Sequence, residues 1–293
     1  MKQLVVVSGK GGTGKTTVTA ALAALAHQPV LADCDVDAPD LHLLLEPQIE
    51  SREDFHGLKV ADIDAEACVA CDLCVDACRF GAIGEDFVVD RSACEGCGAC
   101  VLVCPEGSAR LVERVSGEVL RSKTRFGPMV HAHLRAGEEA SGKLVSAVRA
   151  KAAQAAEENG GKLLLIDGPP GVGCPVIAAI SGVDMALIVA EPTPSGRQGL
   201  RRAVEVAHHF GVFTCVVVNR ADLYFQEADA IEDWCRERGV EVLHRLPYDP
   251  AATDAMTQAT TVIEHGDGPL ARALKNLWGE LAAIMGIDDA ERI

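Results

Sequence analysis

Residues 2–16 read KQLVVVSGKGGTGKT, a run of apolar residues that leads directly into a loop of glycines. The run 2–8 predicts a short buried strand, and the Ala- and Leu-rich segment 16–26 after the loop predicts a helix. A second apolar strand follows at 29–32 and ends at the acidic run DCDVD, residues 33–37. Strand, loop, helix and strand in this order indicate the start of a parallel α/β sheet.

The glycine loop, residues 9–16, matches the pattern G-x-x-x-x-G-K-[ST] and stands between a strand and a helix. Glycines let backbone N–H groups turn inward around phosphate oxygens, and the N-terminus of the next helix adds partial positive charge. In this mechanism Lys15 bridges the β- and γ-phosphates and the Thr16 hydroxyl holds Mg²⁺. The residues predicted to bind ATP in this loop are Gly11, Gly12, Thr13, Gly14, Lys15, Thr16 and Thr17.

Apolar strands separated by helix-length segments continue through the second half of the chain. The predicted strands are 162–167, 184–190, 212–219 and 240–246, and the predicted helices are 144–158, 196–210, 227–238 and 269–285. Helix 144–158 would have Ser141 as its N-cap. This spacing predicts an α/β fold of the P-loop NTPase type, with a mostly parallel sheet covered by helices on both faces. We expect it to be built from residues 1–60 and 113–293.

Residues 61–112 differ from the rest and predict a small inserted α+β domain. Ten acidic residues stand against three basic ones between Asp62 and Arg110, and two cysteine runs form an internal repeat. Each run has the spacing C-x₂-C-x₂-C-x₃-C, which is the bacterial ferredoxin pattern. Zinc also binds CxxC motifs, but zinc sites use four ligands as two pairs, so two runs of four cysteines favour iron–sulfur clusters.

Composition narrows the function classes. The formal net charge of −16 disfavours binding to nucleic acid or anionic lipid through a general basic surface. We find no secretory signal and no apolar run long enough to span a bilayer, and the end of the chain, residues 285–293, is short and acidic, so no membrane contact is expected. A cytoplasmic location is predicted, where twelve cysteines indicate metal or redox chemistry rather than disulfides.

The loop KGGTGKT, with its early second lysine, resembles the deviant Walker A family, which includes MinD, ParA, the Mrp-type iron–sulfur proteins and the nitrogenase iron protein. The stretches DCDVDAPDLHLLL, IDGPPGVGC and VVVNRADL resemble its two switch regions and its adenine-contacting segment. The resemblance implies a homodimer that closes on ATP, with Lys10 reaching the phosphates of the partner subunit. It also implies that Asp35 positions the attacking water, that Asp33 and Asp167 act near Mg²⁺, and that Asn219 and Arg220 contact the nucleotide.

The cysteine runs resemble those of two-cluster bacterial ferredoxins, in which the fourth cysteine of each run serves the other cluster. The resemblance implies that one 4Fe–4S cluster is held by Cys68, Cys71, Cys74 and Cys104. It implies that a second is held by Cys78, Cys94, Cys97 and Cys100.

Nearly the whole chain resembles the branch described as CobQ/CobB/MinD/ParA nucleotide-binding domain proteins with an inserted ferredoxin domain. The first functional hypothesis is an ATPase whose dimeric switch gates electron transfer between two 4Fe–4S clusters and a redox partner. The second is an iron–sulfur carrier or assembly ATPase of the Mrp type, with an iron–sulfur protein as partner. The carrier CxxC motif late in the chain is missing here, which disfavours it. The third is a spatial organiser like MinD or ParA in which the clusters only sense redox state.

Overall fold

The computed structural model describes residues 1–135, 137–138 and 141–287. The last residues of the acidic C-terminal segment, 288–293, lie outside this range. The chain divides into two compact units. Unit 1 comprises residues 1–52, 119–133 and 140–293, and unit 2 comprises residues 53–118 and 134–139.

The described chain contains nine strands and eleven helices. The strands are β1 (Lys2–Ser8), β2 (Val30–Asp33), β3 (Gln48–Ile63), β4 (Ala109–Lys123), β5 (Pro128–Leu134), β6 (Leu163–Pro170), β7 (Met185–Ala190), β8 (Phe213–Val218) and β9 (Glu241–Arg245). The helices are α1 (Lys15–Leu25), α2 (Leu41–Leu45), α3 (Leu73–Ala77), α4 (Ala99–Val103), α5 (Gly142–Glu158), α6 (Cys174–Ile180), α7 (Pro194–His209), α8 (Phe225–Glu237), α9 (Ala251–Thr257), α10 (Val262–His265) and α11 (Pro269–Met285).

The sheet has the order β3-β4-β5-β2-β6-β1-β7-β8-β9. Along the sheet from β5 to β9, each strand pairs in parallel with the next, and β1 lies at the centre of this group of seven strands. Parallel pairing suits the central strands β1, β6 and β7 because most of their residues are apolar and buried, as sheets covered on both faces require. The prediction of an α/β fold with a mostly parallel sheet is confirmed, and so is Ser141 as the N-cap of α5.

Alternate residues of the central strands of unit 1 face opposite sides of the sheet. Leu4 and Val6 of β1 pack into a core with helices α1 and α11, where Leu22 and Leu274 are fully buried. Helices α5, α6 and α7 contact the sheet through β2, β6, β7 and β8. This sheet places the carboxyl ends of β1, β2 and β6 side by side, which is where parallel α/β sheets bind their ligands.

Three strands, β3, β4 and β5, were missing from the sequence prediction. The first seven residues of β3 are all exposed, so the segment carries no alternating apolar signal. The expected domain limits, residues 61 and 112, fall inside β3 and β4. The assignment of 61–112 as a ferredoxin-type domain stays a prediction. No helix in the described part of the chain is both long and apolar enough to cross a bilayer.

Unit 2 contains two short helices, α3 and α4, and a small apolar cluster. The buried members of that cluster are Ala61, Cys74, Ile83 and Cys100. The loop before α4 depends on glycine because Gly96 has φ +62° and a Cβ there would lie 2.1 Å from the Lys59 carbonyl oxygen. Two of the four buried side chains in this cluster are cysteines, and the backbone around Gly96, between Cys94 and Cys97, is tightly packed against Lys59.

Candidate functional site: a phosphate loop and two cysteine-lined cavities

The glycine loop between β1 and α1 packs against Asn219, the residue that directly follows β8. Gly14 has φ +89°, and a Cβ there would lie 2.3 Å from Asn219 Nδ2. Asn219 Nδ2 in turn donates a 2.7 Å hydrogen bond to the Thr13 carbonyl oxygen. Only glycine meets both requirements at position 14, which explains why the loop needs that residue. Asn219, expected beside the adenine, thus also supports the backbone of the loop.

Lys15 lies between two carboxylates at the first turn of α1. Its Nζ atom lies 2.9 Å from Asp35 Oδ2 and 3.5 Å from Asp167 Oδ1, and the side chain is buried. Burial alone would lower the pKa of Lys15, but Asp167 and Asp35 outweigh it, and the pKa lies above its ordinary value. Lys15 is therefore a firmly charged ammonium that is paired inside the protein in the absence of a nucleotide.

Asp33 and Asp167 are direct neighbours in the register of β2 and β6. Burial and the adjacent Asp167 raise the pKa of Asp33 well above its usual range. Among the described residues Asp33 Oδ2 has no hydrogen-bond partner. Thr16 Oγ1 donates a 2.8 Å hydrogen bond to Asp167 Oδ2, and Thr19 Oγ1 donates a 3.0 Å bond to Asp167 Oδ1.

This donor set fits Mg²⁺ bound together with phosphates. Three carboxyl groups, Asp33, Asp35 and Asp167, lie around one ammonium, and the raised pKa of Asp33 together with its unsatisfied Oδ2 shows that a further cation would be favoured there. Within the described residues no group of three or more His, Cys, Asp or Glu side chains is arranged to hold a single metal ion by itself. Mg²⁺ does not need such a cage, because it usually keeps several waters and takes few protein ligands beside the phosphates.

Two adjoining cavities of unit 1 have room for a nucleotide. The first is an open cleft of about 300 Å³, lined by loop residues 11–17 together with Asp35, Ala38, Asp40 and Arg220, among others. The second is smaller, about 50 Å³, and is lined by Asn219, Arg220 and residues 246–249, among others. The structure thus brings the predicted residues Asn219 and Arg220 to one cavity beside the phosphate loop.

Lys10 is not free in the structure. Its Nζ atom lies 2.7 Å from Glu191 Oε2, and Arg220 NH1 lies 2.9 Å from the other oxygen of the same carboxylate. Sequence reasoning missed Glu191 and also Thr19. Glu191 directly follows strand β7, so the rule that selects Asp167 at the end of β6 would have selected it too. Thr19 lies one helical turn after Lys15 on α1, which is a signal for a shared face.

The eight cysteines of unit 2 lie around two separate cavities. A small cavity is lined by Cys68, Cys71, Cys74 and Cys104, among others. Another small cavity is lined by Cys78, Cys94, Cys97 and Cys100, among others. Each cavity combines three cysteines of one run with the fourth cysteine of the other. Cys74 and Cys100, one in each cavity, are buried, whereas Cys71 and Cys97 are exposed.

Several hydrogen-bond donors of unit 2 point at these sulfur atoms. The Ala61 N–H donates to Cys94 Sγ and the Ala82 N–H to Cys78 Sγ, each at 3.4 Å. The Ser108 hydroxyl lies 3.2 Å from Cys104 Sγ, and hydrogen bonds from Ser108 and the Ala109 backbone lower the pKa of Cys104 to about 7. Donors aimed at thiolates are what iron–sulfur ligands need, and a cube takes one thiolate per iron, so its ligands do not converge on one point. The thiol sets therefore fit such a group.

Comparison with known proteins identifies the family. The description "CobQ/CobB/MinD/ParA nucleotide binding domain" matches residues 4–262. The chain is 36% identical to the uncharacterized protein MJ0578 of Methanocaldococcus jannaschii over 221 residues, which are 74% of this chain and 78% of that protein.

Solved structures share the fold. Septum site-determining protein MinD of Pyrococcus horikoshii, complexed with Mg-ADP, has a TM-score of 0.60 at 20% identity and covers 99% of both chains. Cell division ATPase MinD of Pyrococcus furiosus has a TM-score of 0.60 at 19% identity and covers 97% of this chain and 99% of its own. With the family match over most of its length, the chain belongs to the CobQ/CobB/MinD/ParA nucleotide binding domain family.

Proposed function

We propose that the protein binds and hydrolyses ATP with Mg²⁺ as a homodimeric switch, and that this switch gates electron transfer between two 4Fe–4S clusters and a redox partner. The observation that carries the proposal is the coexistence, in one chain, of a phosphate loop and two cavities each lined by four cysteines. Two sets of four thiols suit two iron–sulfur clusters.

On the nucleotide side, Lys15 exchanges partners when ATP binds. In the ligand-free protein it neutralises Asp35 at 2.9 Å. Phosphate oxygens carry more negative charge than one carboxylate, so Lys15 moves to the β- and γ-phosphates and Asp35 is released. Asp35 then accepts a hydrogen bond from the attacking water, and ATP gives ADP and phosphate. Thr16, Asp33 and Asp167 would hold Mg²⁺, which neutralises phosphate charge when bound.

Dimer formation supplies the remaining charge. Lys10 stands at the start of the loop on the surface of unit 1, 32% exposed. In the proposed dimer Lys10 reaches the triphosphate of the partner subunit, so that closure requires ATP. The likeness to a cell division ATPase supports a switch of this kind through the fold.

On the cysteine side, bound clusters would carry single electrons at potentials set by charge, burial and hydrogen bonds to sulfur. The chain's own residues orient the thiols and shield Cys74 and Cys100 from water. Cys74 and Cys100 belong to the small core of unit 2, which favours clusters that stay in place over clusters that are handed on. In chain order the acidic run 33–37 is followed by α2 and then by β3, which continues into unit 2. A conformational change of the acidic run on nucleotide binding could therefore pass along the backbone to unit 2.

An anaerobic iron-tracing experiment tests this function. The protein is loaded with ⁵⁷Fe, to about eight irons per chain if both clusters are complete. Mg-ATP and an apo-ferredoxin acceptor are then added, and the iron in each protein is measured during turnover, with Lys15→Ala as the matched control. We expect ATP to be consumed while the iron stays in place. Transfer of iron to the acceptor, faster with ATP in the wild type than in Lys15→Ala, would instead identify a cluster carrier.

A further inference from the structure

The side chain of Lys10 is held within its own subunit by the carboxylate of Glu191. Besides the 2.7 Å ion pair with Glu191, Lys10 Nζ donates longer hydrogen bonds to Thr193 Oγ1 at 3.3 Å and to Ser195 Oγ at 3.4 Å. Glu191 is 18% exposed, so this contact is partly shielded from water. All of these partners lie where β7 meets α7.

The backbone fixes the distance between Lys10 and this segment. A Cβ on Gly9 would lie 2.0 Å from the carbonyl carbon of Gly199, so the start of the phosphate loop touches α7 with no room for a side chain. A Cβ on Gly196 would lie 2.2 Å from the Glu191 carbonyl oxygen, which closes the 191–196 turn equally tightly. The Lys10–Glu191 pair is therefore built into the fold and does not arise from two mobile surface side chains meeting by chance.

Arg220 shares the same carboxylate. Arg220 NH1 lies 2.9 Å from Glu191 Oε1 and 3.4 Å from the Gly12 carbonyl oxygen of the phosphate loop. Burial acts to raise the pKa of Glu191, but Lys10 and Arg220 outweigh it and the pKa lies below its ordinary value. When Lys10 leaves, Arg220 still neutralises Glu191, so its departure does not strand an unpaired, partly buried charge.

We propose that Glu191 is a positioning residue that holds Lys10 inside its own subunit until the triphosphate of a second copy of the chain draws it away. Arg220 remains on Glu191 and keeps the released state low in energy. This inference rests on the proposed function, because it requires Lys10 to act across the dimer. ADP lacks the γ-phosphate and competes less well with Glu191 for Lys10, so the latch makes dimer formation depend on ATP.

Removing the charge of Glu191 should therefore tighten the ATP-bound dimer. Each dimer breaks two Lys10–Glu191 pairs, and pairs of this exposure are individually weak, so we expect Glu191→Gln to lower the dimer dissociation constant about tenfold. The gain should shrink at high salt, because salt screens a partly exposed ion pair. A change in packing alone would not show this salt dependence.

The test measures dimer formation of the anaerobically purified, cluster-loaded protein by sedimentation at low and high salt. Wild type, Glu191→Gln and the neutral-contact control Ser195→Ala are each examined with a non-hydrolysable ATP analogue and with ADP. With the analogue we expect a tighter dimer for Glu191→Gln than for the wild type, by a factor that is smaller at high salt than at low salt, and wild-type behaviour for Ser195→Ala. Unchanged or weaker dimerisation of folded Glu191→Gln, while wild type dimerises with the analogue, would overturn the latch alone. Absence of a wild-type dimer would overturn the dimeric switch itself and the latch with it.

A second measurement covers the case in which Glu191→Gln folds poorly. Acylation of lysines in the conservative variant Glu191→Asp, read by mass spectrometry without nucleotide, reports whether Lys10 is held. The shorter side chain cannot span the same distance, so Lys10 should react several times faster than in the wild type, whereas the exposed Lys162 should react equally in both proteins. Equal reactivity of Lys10 in the two proteins would contradict the latch.

Discussion

The nucleotide site of unit 1 and the cysteine cavities of unit 2 are assembled in opposite ways. Lys15, Asp35 and Asp167 come from three distant parts of the chain, and buried parallel strands hold them together. Lys15 forms ion pairs with both carboxylates. The cysteines lie within residues 68–104, and two of them form half of the small core that surrounds them.

From this difference we expect the folding of the two units to depend on bound ligands to different degrees. Unit 1 has a large apolar core, and most of its residues lie away from the two nucleotide cavities. Unit 2 buries too few apolar side chains to form such a core, and small metal-binding folds often gain their stability from the bound group. We therefore expect unit 1 to stay folded without nucleotide, and unit 2 to need its clusters.

The largest expected effect follows from Lys15→Ala. Losing the ammonium that meets the phosphates should lower ATP turnover by about 100-fold or more, because a preorganised charge in a buried site stabilises the transition state strongly. Iron and sulfide content and the visible spectrum should match the wild type, since Lys15 lies in unit 1 and the cysteines in unit 2. Lys162→Ala, at an exposed lysine, is the control and should turn over ATP normally. Loss of iron from Lys15→Ala would contradict the expectation that the clusters assemble independently of the nucleotide site.

Removal of iron should unfold unit 2 and leave unit 1 intact. Both tryptophans, Trp234 and Trp278, are buried in unit 1, so their fluorescence reports that unit alone. After chelation under anaerobic conditions, hydrogen exchange of residues 61–112 should rise strongly while tryptophan fluorescence and exchange in β1 and β6 stay unchanged. Protected amides in 61–112 after complete loss of iron would show that unit 2 has a sufficient core of its own.

Single cysteine substitutions test which thiols of unit 2 hold the same cluster. Cys74→Ser and Cys104→Ser should each remove the same cluster, because both thiols line one cavity, whereas Cys78→Ser should remove the other. About four of eight irons should be lost in each case. Cys215→Ser, at a buried thiol of unit 1, is the matched control and should keep full iron content. The electron paramagnetic resonance signals of the reduced variants would contradict the crossed pairing if Cys74→Ser and Cys104→Ser lost different clusters.

The smallest effect concerns His131 of β5, which is 2% exposed. Burial, followed by nearby His133, His42 and Arg52, lowers its pKa to about 4. Since the unfolded histidine binds a proton near pH 6.5 and the folded one does not, stability is full above that pH and falls as the pH drops toward 4. Between pH 7.5 and 5.5 the wild type should lose about 1 kcal/mol more than His131→Gln.

Urea unfolding followed by tryptophan fluorescence measures this loss for unit 1. The glutamine variant keeps a polar partner for Ser122, whose hydroxyl lies 2.9 Å from His131 Nε2, but does not titrate. Parallel pH profiles for the two proteins would mean that His131 takes up a proton in the folded state.

Most residues of the candidate nucleotide site could be predicted from the sequence, because they belong to a fixed motif or stand at the ends of apolar strands. The loop 9–16 and Asp167 are recognised by their place between strand and helix or at the end of a strand, and the structure brings Lys15, Asp35 and Asp167 within hydrogen-bonding or ion-pair distance. Glu191 escaped notice because its role depends on where Lys10 lies in three dimensions, 181 residues earlier in the chain.

The parts that could not be predicted depend on pairing between segments. Strand β3 has a polar, exposed sequence, so its strand conformation comes from its neighbour in the sheet and not from its own periodicity. The donor of the hydrogen bond to Cys94 is the backbone of Ala61, 33 residues away, and no spacing rule identifies it. The spacing of the cysteine repeat, in contrast, is visible in the sequence, and its resemblance to two-cluster ferredoxins supplied the crossed grouping of the eight thiols.

The most direct test of the account asks whether the nucleotide controls the clusters. Both clusters are reduced anaerobically, and their oxidation by a soluble one-electron acceptor is followed by stopped-flow absorbance with ADP, with a non-hydrolysable ATP analogue, and without nucleotide. We expect the analogue to change the oxidation rate about fivefold or more in the wild type and to leave it unchanged in Lys15→Ala. Equal rates and equal reduction potentials in all nucleotide states of the wild type would contradict it.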